Sequence, residues 1–505
     1  MKNFAKLACL ILALTMVLPL LASCGDSSSP SATTEADTTG ADSAPTDEAT
    51  DAADERIPSS VPVKDFGGYE YRILGNSLEY HEHWYSRDLY AEEQTGDTIN
   101  DAIYLRNTAI EDMYNVKIKV NYSQNPASDA QKSIKAGDDL YDLLSIQLEG
   151  SAQILAQGGY LYDLKQIPHV DLTKPWWDQK AKEQLTMGGK LYTTVSDLSI
   201  VDKDAVFIYL FNKDLIRDYG LDDPYRLIEE NNWTVDKMYE MARSATRDVD
   251  GNSVIDENDC YGFLAETNTF YELVLGANEL FIKKDANDNP VPDFANSRLV
   301  QSFNKWIEVY NDRNTTMMAN DFNAKYPGNE VWDLQLDMLN TKRALFLYTG
   351  MNRVTMLRQM DCNFGILPVP KLNSDQAEYS NAVHPWCATS VSIPVTVFDL
   401  ERSALLLEAL TRESYYTLRP AYYDVSLKSK LIRDEESRST MDIIFATRTY
   451  DLGHVFNFGS IFNVISDLAI KKDVNYTSAI EKNEGKVITA IEKSIQGFEE
   501  TAAKG

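Results

Sequence analysis

Cysteine is scarce in this sequence, which has five cysteines in 505 residues and no Cys-x-x-Cys pair. Cys9 and Cys24 lie near the N-terminus, which leaves Cys260, Cys362 and Cys387 in the body of the chain. Three thiols, an odd number, cannot all pair within one chain. We therefore expect free cysteines that behave as small, buried apolar side chains.

Basic residues are also few relative to acidic ones. The chain has 48 Lys and Arg against 77 Asp and Glu, and its formal net charge at pH 7 is −29. A charge of this sign repels the phosphates of nucleic acids and anionic membrane surfaces. The composition therefore argues against nucleic acid and against anionic lipid as partners.

The sequence motifs of several enzyme classes are missing. The chain contains no His-Glu-x-x-His, no Gly-x-Ser-x-Gly and no phosphate-binding P-loop. A glycosidase needs only two suitably placed carboxylates. With 77 acidic residues some pair of carboxylates is always close, so the presence of such a pair does not distinguish a glycosidase from other proteins. A secreted glycosidase therefore stays an alternative without a specific motif to support it.

The first 24 residues predict an export signal. They read MKNFAKLACLILALTMVLPLLASC, with two lysines and an apolar run over 7–21. This run is shorter than the roughly 20 residues of a membrane-spanning helix, and its charged start is typical of a secretory signal. The final LASC resembles the lipobox of bacterial lipoproteins, which implies a signal peptide over 1–23 and a lipidated Cys24. An ordinary signal peptide with an incidental cysteine is the alternative.

A polar, low-complexity stretch follows this signal. Residues 24–60 are dominated by Ser, Thr, Ala, Asp and Glu, with almost no large apolar side chains. Such a composition cannot bury enough apolar surface to offset the entropy lost on ordering. We predict a disordered acidic linker that separates a lipid anchor from a folded body.

The body of the chain alternates strand patterns with helix patterns. Residues 69–77 and 116–122 predict strands, and apolar residues at helical spacing over 97–115 predict a helix between them. A strongly apolar strand is predicted over 205–214, and Thr234 is positioned to cap a later helix. Alternation over such a length indicates an α/β fold, and the body is long enough for two domains.

Five stretches occur in an order that resembles one known family. They are YDLLSIQLEGSAQILAQGGYLYDL, GGKLYTTVSDLSIVDKDAVFIYLFNKDLIRDYGLDDPY, NNWTVDKMYEMAR, ALFLYTG and FGILPVPK. Together they resemble the extracellular solute-binding proteins of family 1, the ABC importer receptors that include maltose-binding protein. One departure is Phe211, where tyrosine is usual. The resemblance extends from residue 69 to about 498. It implies a two-domain periplasmic-binding-protein-like type II fold, with hinge-linked α/β lobes around a ligand cleft.

The resemblance also implies how the lobes are built and what they do. Crossings between the lobes are expected near 202–205 and 387–390. Lobe 1 would comprise 61–204 and 388–445, and lobe 2 would comprise 205–387 and 446–505. The implied function is capture of a small-molecule solute, a carbohydrate in the first place, by a monomer that delivers it to ABC importer permease subunits. It implies no catalysis and no required cofactor.

Candidate ligand residues come from the loops where the family binds its solute. Aromatic side chains cover the apolar faces of sugar rings, and polar side chains meet the hydroxyl groups. Met351 stands at the step where maltose-binding protein has a stacking aromatic, which argues against a maltose-like ligand. The predicted ligand-binding residues are Trp84, Tyr85, Arg87, Trp177, Asp202, Asp204, Tyr348, Met351, Asn352, Trp386, Tyr450 and Phe456.

The segment DVDGNSVIDEND, residues 248–259, resembles an EF-hand calcium loop. Ser253 stands where glycine usually makes the turn, and the last ligand is an aspartate rather than the longer glutamate. A polar turn without metal is the alternative, and calcium would have a structural role. The predicted metal ligands are Asp248, Asp250, Asn252, the Val254 carbonyl, Asp256 and Asp259.

Other interpretations stay open at the level of sequence. His81 and His83 would bind zinc only with a third partner, and a loop without metal is the favoured interpretation. Peptides and other small polar solutes are alternatives to an oligosaccharide. A surface or sensory lipoprotein that uses the same fold without transport is an alternative to an importer receptor.

Overall fold

The computed structural model describes residues 56–357, 362–427 and 435–502. The predicted signal peptide, Cys24 and most of the predicted linker lie outside the described residues. Within the described ranges, no helix is both long enough and apolar enough to cross a membrane.

Thirteen strands are present in the described ranges. Their bounds are β1 Tyr69–Asn76, β2 Val116–Ser123, β3 Leu143–Gln147, β4 Phe207–Asn212, β5 Tyr261–Ala265, β6 Ile282–Lys284, β7 Pro290–Pro292, β8 Thr316–Met318, β9 Ala344–Gly350, β10 Phe364–Leu367, β11 Asn381–Ala382, β12 Thr389–Ser392 and β13 Arg448–Thr449.

The α-helices are more numerous than the strands. Their bounds are α1 Thr98–Tyr114, α2 Pro126–Ala136, α3 Gln153–Gln157, α4 Gln179–Leu185, α5 Val201–Asp204, α6 Lys213–Tyr219, α7 Pro224–Glu229, α8 Val235–Ala245, α9 Phe270–Leu275, α10 Ser297–Asn311, α11 Ala319–Phe322, α12 Glu330–Asn340, α13 Asn352–Met356, α14 Leu400–Tyr416, α15 Leu418–Leu427, α16 Glu435–Ala446, α17 Leu452–Val455, α18 Ile461–Lys471 and α19 Tyr476–Ala502. A π-helical turn covers Leu148–Ala152, and 3₁₀ turns cover Thr267–Thr269 and Phe458–Ser460.

The two main sheets contain different parts of the chain. The first has the strand order β12-β3-β1-β2, and the second has the order β10-β4-β9-β5-β8. In the first sheet β1 runs parallel to β2 and β3, while β12 runs antiparallel to β3. Every residue of β4 is buried, as expected for a strand covered on both faces. Each sheet with its helices forms one α/β lobe, which confirms the fold class predicted from the sequence.

Local signals in the sequence determine where the predicted elements begin and end. The Asp97 side chain accepts hydrogen bonds from the backbone N–H groups of Ile99 and Asn100 at the start of α1. The helix ends at Asn115, whose backbone is left-handed. Thr234 caps α8 as predicted, because its side chain accepts from the Lys237 N–H.

Three chain segments lie side by side at the boundary between the two sheets. They are residues 205–206, β11 with the two residues that follow it, and β13. Val206 pairs with Val383 in an isolated antiparallel bridge, and β11 runs parallel to β13. The His384 N–H donates to the Ala205 carbonyl at 2.9 Å. These pairings make a short, continuous hydrogen-bonded junction between the lobes.

Two helices are placed differently from the division that the sequence suggested. Helix α16, assigned to lobe 1 up to residue 445, packs against β10 of the second sheet, where Thr440 Oγ1 donates to the Ile366 carbonyl. Helix α19, assigned to lobe 2, contacts both lobes. Its first residue, Tyr476, donates to the Phe294 carbonyl at 2.9 Å. Near its end, Gln157 Nε2 of lobe 1 donates to Ser494 Oγ at 3.0 Å.

Strand β5 and helix α8 approach closely because residue 262 is glycine. A Cβ at Gly262 would collide with the backbone of Ala242. We expect Gly262→Ala to lower the free energy of unfolding by about 1–3 kcal/mol, the usual cost of overpacking. The matched control is Gly485→Ala in α19, where nothing lies within 4 Å of the added methyl group. This control should be neutral or stabilising by up to about 1 kcal/mol. Urea unfolding of both variants measures the difference, and equal stabilities would contradict the packing.

Candidate ligand-binding site

A cavity of about 380 Å³ lies between the two lobes, beside the junction. Its volume falls within the roughly 300–1,000 Å³ that is usual for small-molecule sites. Both lobes and the second crossing contribute to its wall. The lining residues are His81, His83, Trp84, Glu149, Phe207, Glu266, Asn268, Trp332, Thr349, Gly350, Asn352, Arg353, His384, Trp386, Cys387 and Phe462.

Aromatic side chains form much of this wall. Three of the seven tryptophans of the chain, Trp84, Trp332 and Trp386, line the cavity. Trp386 is 38% exposed and therefore accessible. Its ring is held by a stacked contact with Tyr80, with 6.2 Å between centroids, and an edge contact with His81. The cavity thus presents a pre-positioned aromatic face to a ligand.

Polar groups stand among the aromatic side chains. Trp332 Nε1 donates to Glu266 Oε2 at 3.0 Å, and burial raises the pKa of Glu266. Burial likewise raises the pKa of Glu149 to about 7. Asn352 Oδ1 is buried and has no hydrogen-bond partner among the described residues. Arg353 lies 3.9 Å from Asp333 Oδ1, which is beyond hydrogen-bond distance. These groups offer donors and acceptors to a polar ligand.

The lobes touch at one side of the cavity. Asn329 Nδ2 of lobe 2 donates to the Glu82 carboxylate of lobe 1. Trp84 also approaches lobe 2, since its Cη2 atom would be 3.4 Å from a Cβ at Gly350. The cavity is therefore bordered by contacts between lobes and not only by the junction.

Three of the predicted ligand-binding residues line this cavity, namely Trp84, Asn352 and Trp386. The other nine do not. Arg87 and Asp204 form an ion pair with each other, and Tyr422 donates to Asp204 Oδ1 at 3.0 Å. These groups are occupied by partners within the protein.

The remaining predicted positions are mostly buried. Trp177 is in the core, where its Nε1 donates to Glu408 Oε2 at 3.0 Å. Tyr450 donates to Asp178 Oδ2 at 2.9 Å. Tyr85 is a half-buried loop residue. Tyr348, Met351 and Phe456 are buried residues of lobe 2.

Asp202 belongs to a buried ionic network at the junction. Its carboxylate is 2.9 Å from Arg448 Nη1 and 3.4 Å from Lys203 Nζ. Burial raises its pKa to about 6 although both cations oppose that shift. Arg448 also binds Asp178 at 2.8 Å. The polar residues at the first crossing therefore hold chain segments together in this structure.

Several cavity residues were missed by sequence reasoning. Glu149 follows the buried strand β3 closely, and a carboxylate at a strand end is a signal that could have indicated it. Trp332 lies in α12, where the helical spacing of an aromatic residue predicts a core position. Glu266 directly follows β5, and Arg353 belongs to the short helix α13.

The predicted calcium loop brings three of its acids together. One carboxylate oxygen from each of Asp248, Asp250 and Asp259 lies within 4.8 Å of the others. Ser253 has a left-handed backbone, φ 65°, at the position where such loops usually have glycine. Asp259 is fully buried and accepts hydrogen bonds from the Val249 and Asp256 N–H groups.

The remaining predicted calcium ligands form turns with their neighbours. Asn252 Oδ1 accepts from the Val254 N–H at 2.7 Å, and Asp256 Oδ1 accepts from the Asn258 N–H at 2.9 Å.

The three body cysteines, Cys260, Cys362 and Cys387, are buried and free. Within the described ranges, no group of three metal donors includes His81 or His83.

Comparisons with known proteins identify the fold. No protein-family model matches the sequence, and no curated protein matches it. Solved structures are similar in shape at low sequence identity. An ABC substrate-binding protein from Listeria monocytogenes in complex with cycloalternan is 12% identical, with a TM-score of 0.52; the match covers 84% of this chain and 99% of that one.

Two further structures show the same similarity. The maltose/maltodextrin-binding domain MalE from Bdellovibrio bacteriovorus, bound to maltotriose, is 14% identical with a TM-score of 0.51, over 85% of this chain and 100% of that one. A solute-binding protein from Thermotoga lettingae, bound to α-D-tagatose, is 14% identical with a TM-score of 0.51, over 84% and 100%. The chain therefore has the two-lobed, periplasmic-binding-protein-like fold of these proteins.

The Arg448 network should determine the stability of the junction. Arg448→Met leaves Asp178 and Asp202 without their shared cation in the interior, and breaking a buried pair in this way costs about 3–5 kcal/mol. The matched control is Arg226→Met, which removes an exposed ion pair between helix α7 and Glu230, the residue that follows it, and should leave stability nearly unchanged. Denaturant unfolding measures both variants, and an Arg448→Met variant as stable as the control would refute the role of the network.

Proposed function

We propose that this protein is a lipid-anchored, extracytoplasmic substrate-binding protein that captures an oligosaccharide and delivers it to an ABC importer. The observation that carries the proposal is the tryptophan-rich cavity between two lobes joined by a narrow junction. Closure of such lobes would enclose a ligand and remove its surface from water.

The chemistry of the cavity supports a carbohydrate. Aromatic faces suit the C–H surfaces of sugar rings, while carboxylate, amide and guanidinium groups suit their hydroxyls. Trp386 supplies an exposed aromatic face, and Glu266, Asn352 and Arg353 supply polar groups beside it. Two proteins of similar fold, from L. monocytogenes and B. bacteriovorus, have cycloalternan and maltotriose bound.

The anchor, location and partners extend the same proposal. Lipidation at Cys24, followed by the acidic linker, would hold the folded body at the outer face of the cytoplasmic membrane. There the protein would act as a monomer that passes its ligand to permease subunits. A lone acyl chain binds membranes only marginally, so the proposed anchor needs more than one chain on the same residue.

A glycoside-hydrolysing enzyme is the second candidate, because Glu149 and Glu266 both line the cavity. Two carboxyl groups around a sugar are the minimum for glycoside hydrolysis. Product analysis separates the candidates, since a receptor returns its sugar unchanged and an enzyme shortens it.

Trp386→Ala tests the proposed aromatic subsite. Isothermal titration of the wild-type protein with maltotriose, mannotriose and raffinose identifies the tightest sugar, and the variant is then titrated with it. We expect at least about tenfold weaker binding, since an aromatic contact contributes about 0.5–1.5 kcal/mol beyond the area it buries. The matched control is Phe398→Ala, which truncates an aromatic that is 87% exposed and outside the cavity.

The control should bind as the wild type does, and both variants should keep the wild-type melting temperature. Equal affinity of Trp386→Ala and the control would reject the subsite. Wild-type protein that binds none of the three sugars would contradict a ligand of the maltotriose, mannotriose or raffinose type, and shortened sugar after incubation would favour the enzyme.

We also propose that calcium occupies the loop 248–259, with a structural role. The convergence of three carboxylates and the left-handed Ser253 support this proposal. An aspartate cluster of this kind is stabilised by a divalent cation that offsets the mutual repulsion of its charges.

Calcium added to chelator-stripped protein should release or absorb heat and raise the melting temperature. Asp248→Asn should abolish both effects, because it removes one of the three converging charges. The matched control is Asp285→Asn, since Asp285 likewise accepts backbone N–H groups in an exposed turn. Stripped wild-type protein that gives no heat with calcium would show that the loop is a metal-free turn.

A further inference from the structure

Two histidines and a glutamate lie together in the interior beside the cavity. Glu272, His384 and His454 are 0%, 7% and 1% exposed. They come from helix α9, from the segment after β11 and from helix α17. His384 also forms part of the cavity wall, and the ring of His454 stacks on Phe462, another wall residue, with 4.3 Å between centroids.

Four polar atoms of this cluster lack hydrogen-bond partners in the described part of the chain. Both carboxylate oxygens of Glu272 are buried without a hydrogen-bond partner among the described residues, and so are His384 Nδ1 and His454 Nε2. A buried polar group without a partner costs about 1–3 kcal/mol, and a charged group costs more. A carboxylate with two such oxygens therefore requires a cation or a proton that the protein side chains do not supply.

The distances within the cluster suit a shared metal ion better than hydrogen bonds. Glu272 Oε1 is 3.4 Å from His384 Nε2 and 3.7 Å from His454 Nδ1. Hydrogen bonds of this type are usually about 2.9–3.0 Å long. Two ligands that each bind zinc at about 2.0–2.1 Å in a tetrahedral site are separated by roughly 3.4 Å. One potential ligand atom from each of the three residues lies within 4.8 Å of the other two.

A second carboxylate lies near one of the histidines, although beyond hydrogen-bond distance of it. Glu149 Oε2 lies 3.9 Å from His454 Nε2, the ring nitrogen that faces away from Glu272. Metal-bound histidines commonly direct their other ring nitrogen towards a carboxylate, which fixes the ring and its tautomer. Glu149 also lines the cavity, so the same side chain faces the cleft and the cluster.

We propose that Glu272 Oε1, His384 Nε2 and His454 Nδ1 bind a divalent transition-metal ion of the zinc type at the edge of the cleft. Two imidazoles with one carboxylate are typical of zinc and neighbouring metals, whereas calcium prefers oxygen ligands alone. Three protein ligands leave a fourth position open. This site is separate from the proposed calcium loop and does not depend on the identity of the solute.

The test uses chelator-stripped mature protein in buffer with excess calcium, so that the loop 248–259 does not compete for the probe. Zn²⁺ titration by calorimetry should give one tight site per chain. X-ray absorption of the zinc-loaded protein should show nitrogen and oxygen ligands at about 2.0–2.1 Å, with the outer scattering that imidazole rings produce. Wild-type protein without a tight site, or a zinc spectrum without imidazole scattering, would overturn the proposal.

Variants assign the ligands. Glu272→Gln and His454→Gln should each weaken Zn²⁺ binding by more than about tenfold, because loss of an outer-shell partner alone costs about 10–100-fold and these variants remove a direct ligand. Two controls change histidines outside the cluster. His169→Gln alters a residue that faces Glu401, and His81→Gln alters the cavity histidine that the sequence first suggested; both should retain wild-type affinity.

Unchanged affinity in Glu272→Gln and His454→Gln, or lost affinity in His81→Gln, would reject this assignment. If either cluster variant fails to fold, the X-ray absorption spectrum of the wild-type protein still decides between imidazole ligation and none. Trp386→Ala should bind Zn²⁺ normally while losing sugar affinity, so the metal proposal and the carbohydrate proposal can fail separately.

Discussion

The guanidinium group of Arg448 lies between the carboxylates of Asp178 and Asp202 in the protein interior. Asp178 caps helix α4 in lobe 1, Asp202 lies at the first crossing, and Arg448 belongs to β13. One cation thus connects three separate parts of the chain. A buried charge without its partners is strongly destabilising, so this arrangement constrains the paths of the three segments that carry Asp178, Asp202 and Arg448.

The cavity takes its position from that junction. His384 and Trp386 lie two and four residues after β11, which pairs with β13, and Phe207 lies just after the first crossing. The junction therefore presents these cavity residues from fixed backbone. The lobes contribute the rest of the wall, with Trp84 on one side and Trp332 on the other. A ligand in this place would contact both lobes at once, which is the geometry that couples binding to closure.

Much of the fold could be predicted from the sequence because it depends on local patterns. The alternation in β2, the apolar spacing in α1 and the Thr234 cap each act over a few residues. The site was harder to predict, because its chemistry depends on partners that are distant along the chain. Asp204 resembles a free ligand contact in sequence, yet Arg87, more than a hundred residues earlier, pairs with it.

Helix α19 gives the two lobes a shared mechanical element. It begins on Phe294 of lobe 2 and ends on lobe 1, where Phe498 packs on Tyr192 with 4.7 Å between ring centroids. If the two lobes rotated freely about the junction, the contacts of this helix with one of the lobes would be lost. Relative rotation of the lobes must therefore either occur about an axis close to this helix or break the contacts of its last turns. The resistance of the two lobes to rotation thus depends on a segment outside the cavity.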